Sequence, residues 1–323
     1  MQSRIGAALW LALFLLGAAV PAGAVPERSL VGVWITDLYD LDPNSRTFTA
    51  KFWLWSVVPA GSKIKPLDTI FVNHARQFTA SRPITIEQSG LIWTQVDVTA
   101  VIRHQWNVTH FPFDAHDLEI ALEDAEYDDA SLQYTADVRQ SGIEEDGLPH
   151  SWNLRGFSLT TRTHTYRTTF GDPALQAPRS RWSQTVARIE VRRDAVGIFI
   201  KMLMGAYVAV FLALLSFRIK TDQPTLFSAR LALLVGSLFA TVVNLRSTEA
   251  VIGRSDHFTL VDKIHTVIAV YILAAAVAAF VSRRDHDRER PEKAIRRDRL
   301  AMIAFAVSFV AVNAVLIGRA AMS

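Results

Sequence analysis

The sequence predicts two domains of different class: an all-β extracellular sandwich of the immunoglobulin-like type, then an all-α transmembrane domain of four helices. Three observations lead to this prediction. Residues 25–193 contain short segments in which apolar and polar side chains alternate, and turn signals separate them. From Ala195 onward the composition changes, and four apolar runs follow that are each long enough to cross a bilayer. A stretch dense in arginine, 283–299, separates the last two runs.

The first 24 residues have the features of a secretory signal peptide. Arg4 precedes an apolar run at Ile5–Ala19, and three small residues at 22–24 form a cleavage site. A membrane anchor is the alternative, but the run is short and is followed by Pro21. The predicted domains are therefore a signal peptide at 1–24, an extracellular β domain at 25–194 and a transmembrane domain at 195–323.

The alternating segments of the first domain predict strands. They are rich in Val, Ile, Thr, Phe and Trp, which strands favour, and turn residues separate them. A domain of about 170 residues with this pattern fits a single sandwich. The clearest segments are Leu30–Leu38, Thr47–Val58, Leu91–Ile102, Leu118–Leu122, Phe157–Tyr166 and Trp182–Val191.

The apolar runs predict four membrane-spanning helices, at about 196–217, 225–246, 258–282 and 299–318. The basic stretch 283–299 is expected in the cytoplasm by the positive-inside rule. The signal peptide gives the same orientation, because it exports the β domain. The chain is therefore predicted to be a multi-pass protein of the inner (plasma) membrane, with its N-terminal domain periplasmic or extracellular.

One helical stripe of the second run combines small, bulky and charged residues. At spacings of three and four, Ala232, Gly236, Phe239, Val243 and Arg246 share one face of the helix. A lipid-facing stripe has no need of small residues at one end and a cation at the other. Two interpretations stay open: a helix that lines a narrow water path, and a bundle helix whose small residues allow close packing.

The other charged residues of the membrane domain are interpreted first as interface residues. Arg230 and Arg246 bracket the second run, where long basic side chains can reach the bilayer surface. Four further ionisable residues of the membrane zone lie near the predicted outer interface, and a functional role is the second interpretation for them: Lys201, Asp262, Lys263 and His265.

Composition and motifs exclude several classes of function. There is no cysteine, so disulfides, thiolate catalysis and cysteine-bound metals are excluded. No GxSxG, HExxH or glycine-rich phosphate loop is present, so neither an enzyme nor a cofactor is predicted. The formal net charge of +3 is small and the basic residues cluster near the membrane, which does not indicate nucleic-acid binding.

The residues His110 to Asp114 read HFPFD, and a strand, the pair Arg192-Arg193 and four apolar runs follow. In this order of parts the mature chain resembles the prokaryotic branch of the pentameric ligand-gated ion channels, the Cys-loop receptor superfamily. The resemblance covers essentially the whole mature chain. Further similar segments are Val33–Trp55 (first hairpin), Leu118–Tyr134 (strand and binding loop), Ser228–Leu231 (start of the pore helix) and Phe258–His265 (start of the third helix).

This chain departs from the family pattern at two positions, which limits the properties of the family that can be expected of it. The first run has no proline, and Gly205 is the candidate source of flexibility in its place. Ala229 stands where cation-selective members usually carry a glutamate. The sign of the permeant ion stays open, because Ala229 and Arg246 favour anions whereas bacterial members are more often cation-selective.

The resemblance implies a homopentamer whose pore is lined by the second helix, so that each stripe residue becomes a ring of five. Phe239 and Val243 would form apolar constrictions that gate by dewetting. Arg246 would form a cationic ring, with Glu249 and Asp222 adding negative charge at the two ends. The implied pore-lining residues are Ala232, Gly236, Phe239, Val243 and Arg246.

The resemblance also implies an agonist site between adjacent β domains, for a small molecule or an ion. Aromatic residues in a sandwich are more often core residues, and this alternative stays open for each candidate. The implied ligand-binding residues are Tyr127, Asn73, His74, Phe170 and Trp182. Membrane lipid is the other expected partner.

At the domain junction, the resemblance implies a buried charge pair between Asp114 and either Arg192 or Arg193. Together with Phe111 and Pro112, these residues would couple agonist binding to pore opening. An ordinary exposed pair is the alternative.

The sequence supports two metal-site interpretations and one alternative function less well. The acidic residues at 123–129 could hold Ca²⁺, but they lack the spacing of a calcium loop, so a solvated acidic loop is expected. His110, His116 and Asp117 are expected to be surface or structural residues rather than metal ligands. The alternative function is a membrane-anchored periplasmic sensor that does not conduct, with the basic stretch carrying its output.

Overall fold

The computed structural model describes residues 25–171, 179–252 and 258–322. The predicted signal peptide and the middle of the segment 170–182 lie outside the described residues. Within the described part of the β domain there are eleven strands. They are β1 Glu27–Asp42, β2 Thr47–Pro59, β3 Ile70–Val72, β4 Ala75–Ala80, β5 Ile84–Gln88, β6 Leu91–Arg103, β7 Ala115–Asp124, β8 Leu132–Ala136, β9 Gly142–Ile143, β10 Trp152–Tyr166 and β11 Ser180–Arg193.

The strands form two sheets, which confirms the predicted sandwich. The first sheet has the order β4-β6-β2-β1-β8, with β5 paired to β6 and β9 paired to β1. The second sheet has the order β10-β11-β7-β3. The long neighbours β1, β2 and β6 are antiparallel, and so are β10, β11 and β7.

The core lies between the sheets and follows from the alternation in the sequence. Ile35 and Leu54 of the first sheet, and Leu118 and Ile189 of the second, are fully buried. Successive side chains of a strand point to opposite faces, so the residues between them, such as Trp53, face outward. Burial of one face on each sheet therefore fixes which side chains remain on the outside of the domain.

The membrane domain consists of four helices, each long and apolar enough to cross a bilayer. They are α1 Ala195–Ser216, α2 Pro224–Ile252, α3 Leu260–Asp287 and α4 Pro291–Ala321. Helix α2 packs against α1 and α3, and α4 packs mainly against α3. Small fully buried residues of α3, including Ala275 and Ala279, permit this close packing.

Helices α2, α3 and α4 are longer than the sequence predicted, and the basic stretch is mostly helical. Helix α3 continues to Asp287, and α4 begins at Pro291, so 288–290 alone separate them. The predicted ends of these helices lie where the hydropathy of the sequence falls. Hydropathy marks the part of a helix that lies in hydrocarbon, whereas the backbone hydrogen bonds continue beyond it. Several arginines there are paired, as Arg283 is with Asp287 at 2.8 Å.

Candidate functional site

Helix α2 has one face that packs on its neighbours and one face that is exposed. The packed face holds Arg230, Leu234, Ser237, Thr241 and Thr248, which are all buried. The hydroxyl groups on this face donate to backbone carbonyls of the preceding turn, which satisfies them within the helix. The bundle therefore fixes the rotation of α2 about its axis.

The predicted stripe lies on the opposite, exposed face of α2. Phe239 is 70% exposed and Val243 48% exposed, although both are large and apolar. The stripe consists of Ala232, Gly236, Phe239, Val243 and Arg246, all exposed in the single chain. That these residues line a pore stays a prediction.

The positive charge of the stripe is offset within its own helix. A guanidinium nitrogen of Arg246 lies 2.9 Å from a carboxylate oxygen of Glu249, one turn further along. Both side chains are largely exposed, so the pair contributes little to stability. The ring predicted at this level would carry alternating charges of both signs rather than five unopposed cations.

The interpretation of Arg230 as an interface residue is wrong. Its side chain is fully buried, and its guanidinium makes two hydrogen bonds to Asp298 of α4, at 2.8 and 3.1 Å. It also lies 4.9 Å from the ring centre of Phe217. Ser282 of α3 donates to the same carboxylate and contacts Thr221 at 2.9 Å. Two N–H groups of a guanidinium match the two oxygens of a carboxylate in spacing. This network therefore connects α2 with α3 and α4.

His265 is also not an interface residue. It is buried between helices, with Nε2 at 2.9 Å from Oδ1 of Asn244 and Nδ1 at 2.8 Å from the carbonyl of Val261. Gly205 of α1 faces the same amide, since a Cβ added there would lie 3.1 Å from Nδ2 of Asn244. Gly205 thus provides close helix packing, whereas the sequence suggested flexibility. Asp262, in contrast, caps the start of α3.

At the domain junction, Asp114 contacts Arg193 through two hydrogen bonds of 2.9 and 3.0 Å. The side chains are 1% and 9% exposed, so the pair is buried rather than solvated. Arg192 instead donates to the carbonyl of Ala321 at the end of α4. The predicted contact is therefore present with the second arginine, and its role in gating stays a prediction.

Aromatic rings enclose this pair. The guanidinium of Arg193 lies 4.0 Å from the ring centre of Trp152 and 4.8 Å from that of Phe111. His116 Nε2 lies 2.8 Å from the Asp114 carboxylate. Burial alone would raise the pKa of Asp114, but the hydrogen bonds from His116 and Arg193 outweigh it and lower the pKa. We call Asp114, Arg193, His116, Trp152 and Phe111 the junction cluster.

The junction cluster reaches the membrane domain directly. The strand β11 ends at Arg193 and α1 begins at Ala195, so a single residue separates the sheet from the first helix. Phe113 packs on Phe199 of α1, with ring centres 5.5 Å apart. The peptide bond between Phe111 and Pro112 is cis. The loop that contains the HFPFD motif therefore lies between the β domain and α1.

Two of the five predicted ligand residues meet on the second sheet. Asn73 donates to the hydroxyl of Tyr166 at 3.3 Å, and Phe170 packs on the same tyrosine with ring centres 5.0 Å apart. Phe170 is 64% exposed, so its ring is accessible. Tyr166, which sequence reasoning did not select, links them.

A buried carboxylate lies beneath Tyr166. Glu123 is 1% exposed and accepts hydrogen bonds from Tyr166 at 2.7 Å and from Gln184 at 2.6 Å, and His164 contacts it as well. Burial and the bond to Glu123 raise the pKa of Tyr166. The expected solvated acidic loop is therefore wrong for Glu123 and for Asp124, which is also buried. Within the described residues, no cluster suited to a metal ion is present.

In the part of the chain that the structure describes, the other three predicted ligand residues have no hydrogen bond or ring contact with Tyr166 or Glu123. Tyr127 is half-buried against the core, and its backbone N–H donates to Asp124. Trp182 lies opposite His164 in the ladder of β10 and β11, and its indole nitrogen has no partner among the described residues. His74 lines a different cleft, on the first sheet.

A cleft of about 430 Å³ on the outer face of the first sheet is lined by four tryptophans, Trp34, Trp53, Trp55 and Trp93. We call it the tryptophan cleft. Two of its indoles are held by carboxylates, with Glu144 2.9 Å from Trp34 and Asp137 3.2 Å from Trp55.

Glycine makes room for two of these rings. A Cβ at Gly32 would lie 2.1 Å from the ring of Trp55, and one at Gly142 would lie 2.8 Å from the ring of Trp34. Sequence reasoning missed the cleft, although Trp53 and Trp55 are two residues apart in a strand and must share a face.

Comparison with known proteins finds no matching family model and no matching curated protein. A β-sandwich domain followed by four apolar helices is compatible with the architecture of the pentameric ligand-gated channels. The two sheets and the four apolar helices define this chain as a membrane protein with an N-terminal β domain.

Proposed function

We propose that this chain is a subunit of a pentameric ligand-gated ion channel, in which an agonist on the β domains opens a pore lined by α2. One observation carries the proposal. The bundle holds α2 so that Ser237, Thr241 and Thr248 are buried, while a stripe of small and bulky apolar residues that ends at Arg246 is left uncovered. A ring of subunits provides a surface that covers such a face without packing it against hydrocarbon.

The agonist site is proposed between neighbouring subunits. The tryptophan cleft and the cluster around Tyr166 belong to different sheets with the core between them, so one small ligand cannot contact both within a subunit. In a ring, the second sheet of one subunit would face the first sheet of the next. Phe170 would then close over the tryptophans of the neighbour, and an aromatic box of this kind favours a cationic ligand.

The junction cluster is proposed to transmit agonist binding to α2. It is buried, it is held by charge-assisted hydrogen bonds, and it adjoins α1 through Phe113 and Phe199. A rigid link of this kind moves as a unit when the sheets tilt. We further propose the orientation with the β domain outside the cytoplasm, in the inner (plasma) membrane.

Because the agonist is unidentified, the test uses a variant that opens without one. Phe239→Ser replaces the bulkiest apolar ring of the stripe with hydroxyl groups, which favours a wetted pore. We expect the variant, reconstituted in planar bilayers under a salt gradient, to pass current without agonist, with a reversal potential that gives the sign of the ion.

The matched control is Leu226→Ser. Leu226 is also an exposed large apolar residue of α2, but it lies about 140° around the helix from Phe239 and therefore off the stripe. Current from Leu226→Ser and Phe239→Ser alike would indicate unspecific leak. Normal assembly of Phe239→Ser without any current would reject the gate. A complex whose mass corresponds to a monomer, dimer or tetramer would reject the pentamer, and a non-conducting pentamer would favour the sensor.

A further inference from the structure

A second cleft in the β domain is strongly basic. It has a volume of about 560 Å³ and lies where the end of β6 meets the loop before β2 and the residue before β4. Among the described residues, no acidic side chain lines it. Its lining residues are Arg46, His74, Arg76, Arg103, His104 and Gln105, which we call the basic cleft.

Backbone hydrogen bonds bring these side chains together. The N–H of Arg103 donates to the carbonyl of His74 at 3.1 Å, and the N–H of His104 donates to the carbonyl of Arg46 at 2.9 Å. Arg46 and His74 have φ angles of 57° and 62°, which non-glycine residues rarely adopt. Three chain segments are thus fixed so that their basic residues converge on one space.

The convergence is electrostatically unfavourable without a counter-ion. Arg76 and Arg103 are exposed, and neither makes an ion pair with any residue that the structure describes. Like charges that share a cleft repel each other, and an anion between them reverses the sign of that interaction. Guanidinium groups present planar pairs of donors that match carboxylate and phosphate oxygens.

We propose that the basic cleft binds an oxyanion, a carboxylate or a phosphate, carried by a small molecule or by a lipid headgroup. Arg76 and Arg103 supply the donors, and His74 adds a further polar contact. The binding itself does not depend on the proposed channel function.

The position of the cleft gives the bound anion a route to the junction cluster. The ring of His104 at the cleft packs on Trp106 at 4.8 Å and on His116 at 5.6 Å between ring centres. His116 in turn contacts Asp114 at 2.8 Å. An anion that moved His104 would therefore alter the packing around the Asp114–Arg193 pair.

The test measures binding on the full chain in detergent. Inorganic phosphate is titrated against sodium chloride of equal ionic strength, and the thermal midpoint is followed. Phosphate should raise the midpoint of the parent protein specifically. Arg76→Gln and Arg103→Gln should each weaken the apparent affinity about tenfold, and the double variant should abolish the response. Arg139→Gln, another exposed arginine, is the matched control and should leave it unchanged.

A second arm distinguishes the two sources of the oxyanion. The protein is placed in nanodiscs of phosphatidylcholine with phosphatidylglycerol, and the retained phosphatidylglycerol is counted by native mass spectrometry. Loss of retention in the double variant, without a phosphate response in the parent, assigns the site to a lipid headgroup. If the double variant loses the phosphate-induced rise in thermal midpoint but retains phosphatidylglycerol as the parent does, the site binds a free anion. If the double variant matches both the parent and Arg139→Gln in the two arms, the proposal is overturned.

Discussion

Removal of the carboxylate that neutralises Arg230 should destabilise the membrane domain severely. Asp298→Ala leaves the guanidinium fully buried, where it loses two hydrogen bonds of 2.8 and 3.1 Å. It also deprives Ser282 of its acceptor at 2.7 Å. Breaking a buried ion pair by removing one partner costs about 3–5 kcal/mol, which shifts the folding equilibrium about 100-fold or more per subunit.

The same helix supplies the control. Arg246 also pairs with a carboxylate, at 2.9 Å from Glu249, but the two side chains are 77% and 46% exposed. Because water screens such a pair, Arg246→Gln should cost less than about 1 kcal/mol. Replacing both buried charges, as Arg230→Met with Asp298→Leu, should recover stability to within about 1 kcal/mol of the parent, since no unpaired charge remains.

The assay is unfolding in mixed micelles of increasing SDS fraction, followed by circular dichroism at one fixed protein concentration. The parent, Asp298→Ala, Arg246→Gln and the double replacement are compared. Equal costs for Asp298→Ala and Arg246→Gln would refute the reasoning that burial makes the first pair strong. A double replacement as unstable as Asp298→Ala would show that packing, rather than the unpaired charge, is responsible.

Three further predictions concern other parts of the chain. Asp114→Ala should preserve agonist binding but reduce opening or assembly, and single-channel recordings with unchanged agonist dependence would contradict the coupling role. Burial, and then the charge of the neighbouring histidine, lower the pKa of His104 from 6.5 to about 4. The unfolded state therefore takes up the proton first, so the free energy of unfolding decreases as pH falls from 6.5 to about 4, by about 1.4 kcal/mol per pH unit. This pH dependence should disappear in His104→Phe. An identical dependence in denaturation curves of the variant would exclude His104 as its source. Gly205→Ala should destabilise the membrane domain by about 1 kcal/mol, because the new Cβ would lie 3.1 Å from Asn244. Gly236→Ala has nothing within 4 Å of the new Cβ and should stabilise the domain in the same unfolding assay. A change of stability with the same sign in both variants would contradict the close packing at Gly205.

The fold was predictable because its signals are local. The alternation of Phe52, Leu54 and Ser56 with the tryptophans between them already specifies a strand with one buried face. The apolar runs specify four helices by length alone. The helix ends were misplaced, since Asp285 and Asp287 continue α3 beyond the apolar part that a hydropathy argument recognises.

The candidate site was predictable only where a motif identified it. Asp114 and Arg193 were selected through the HFPFD motif and the basic pair before the first helix, and they are in contact. The burial of Glu123 was not foreseen, because it depends on Tyr166 and Gln184, 43 and 61 residues away. The five ligand candidates were chosen by position along the chain, and two of them share a cluster.

By itself, the sequence determined which segments form strands and helices and which face of each is apolar, because those properties depend on neighbours within a few residues. Only the tertiary structure decided which polar residues are buried together. Arg230 reads as a surface residue until α4 brings Asp298 against it from 68 positions away. The physical reason is that the free energy of a charge depends on the groups and the solvent around it, and packing determines both.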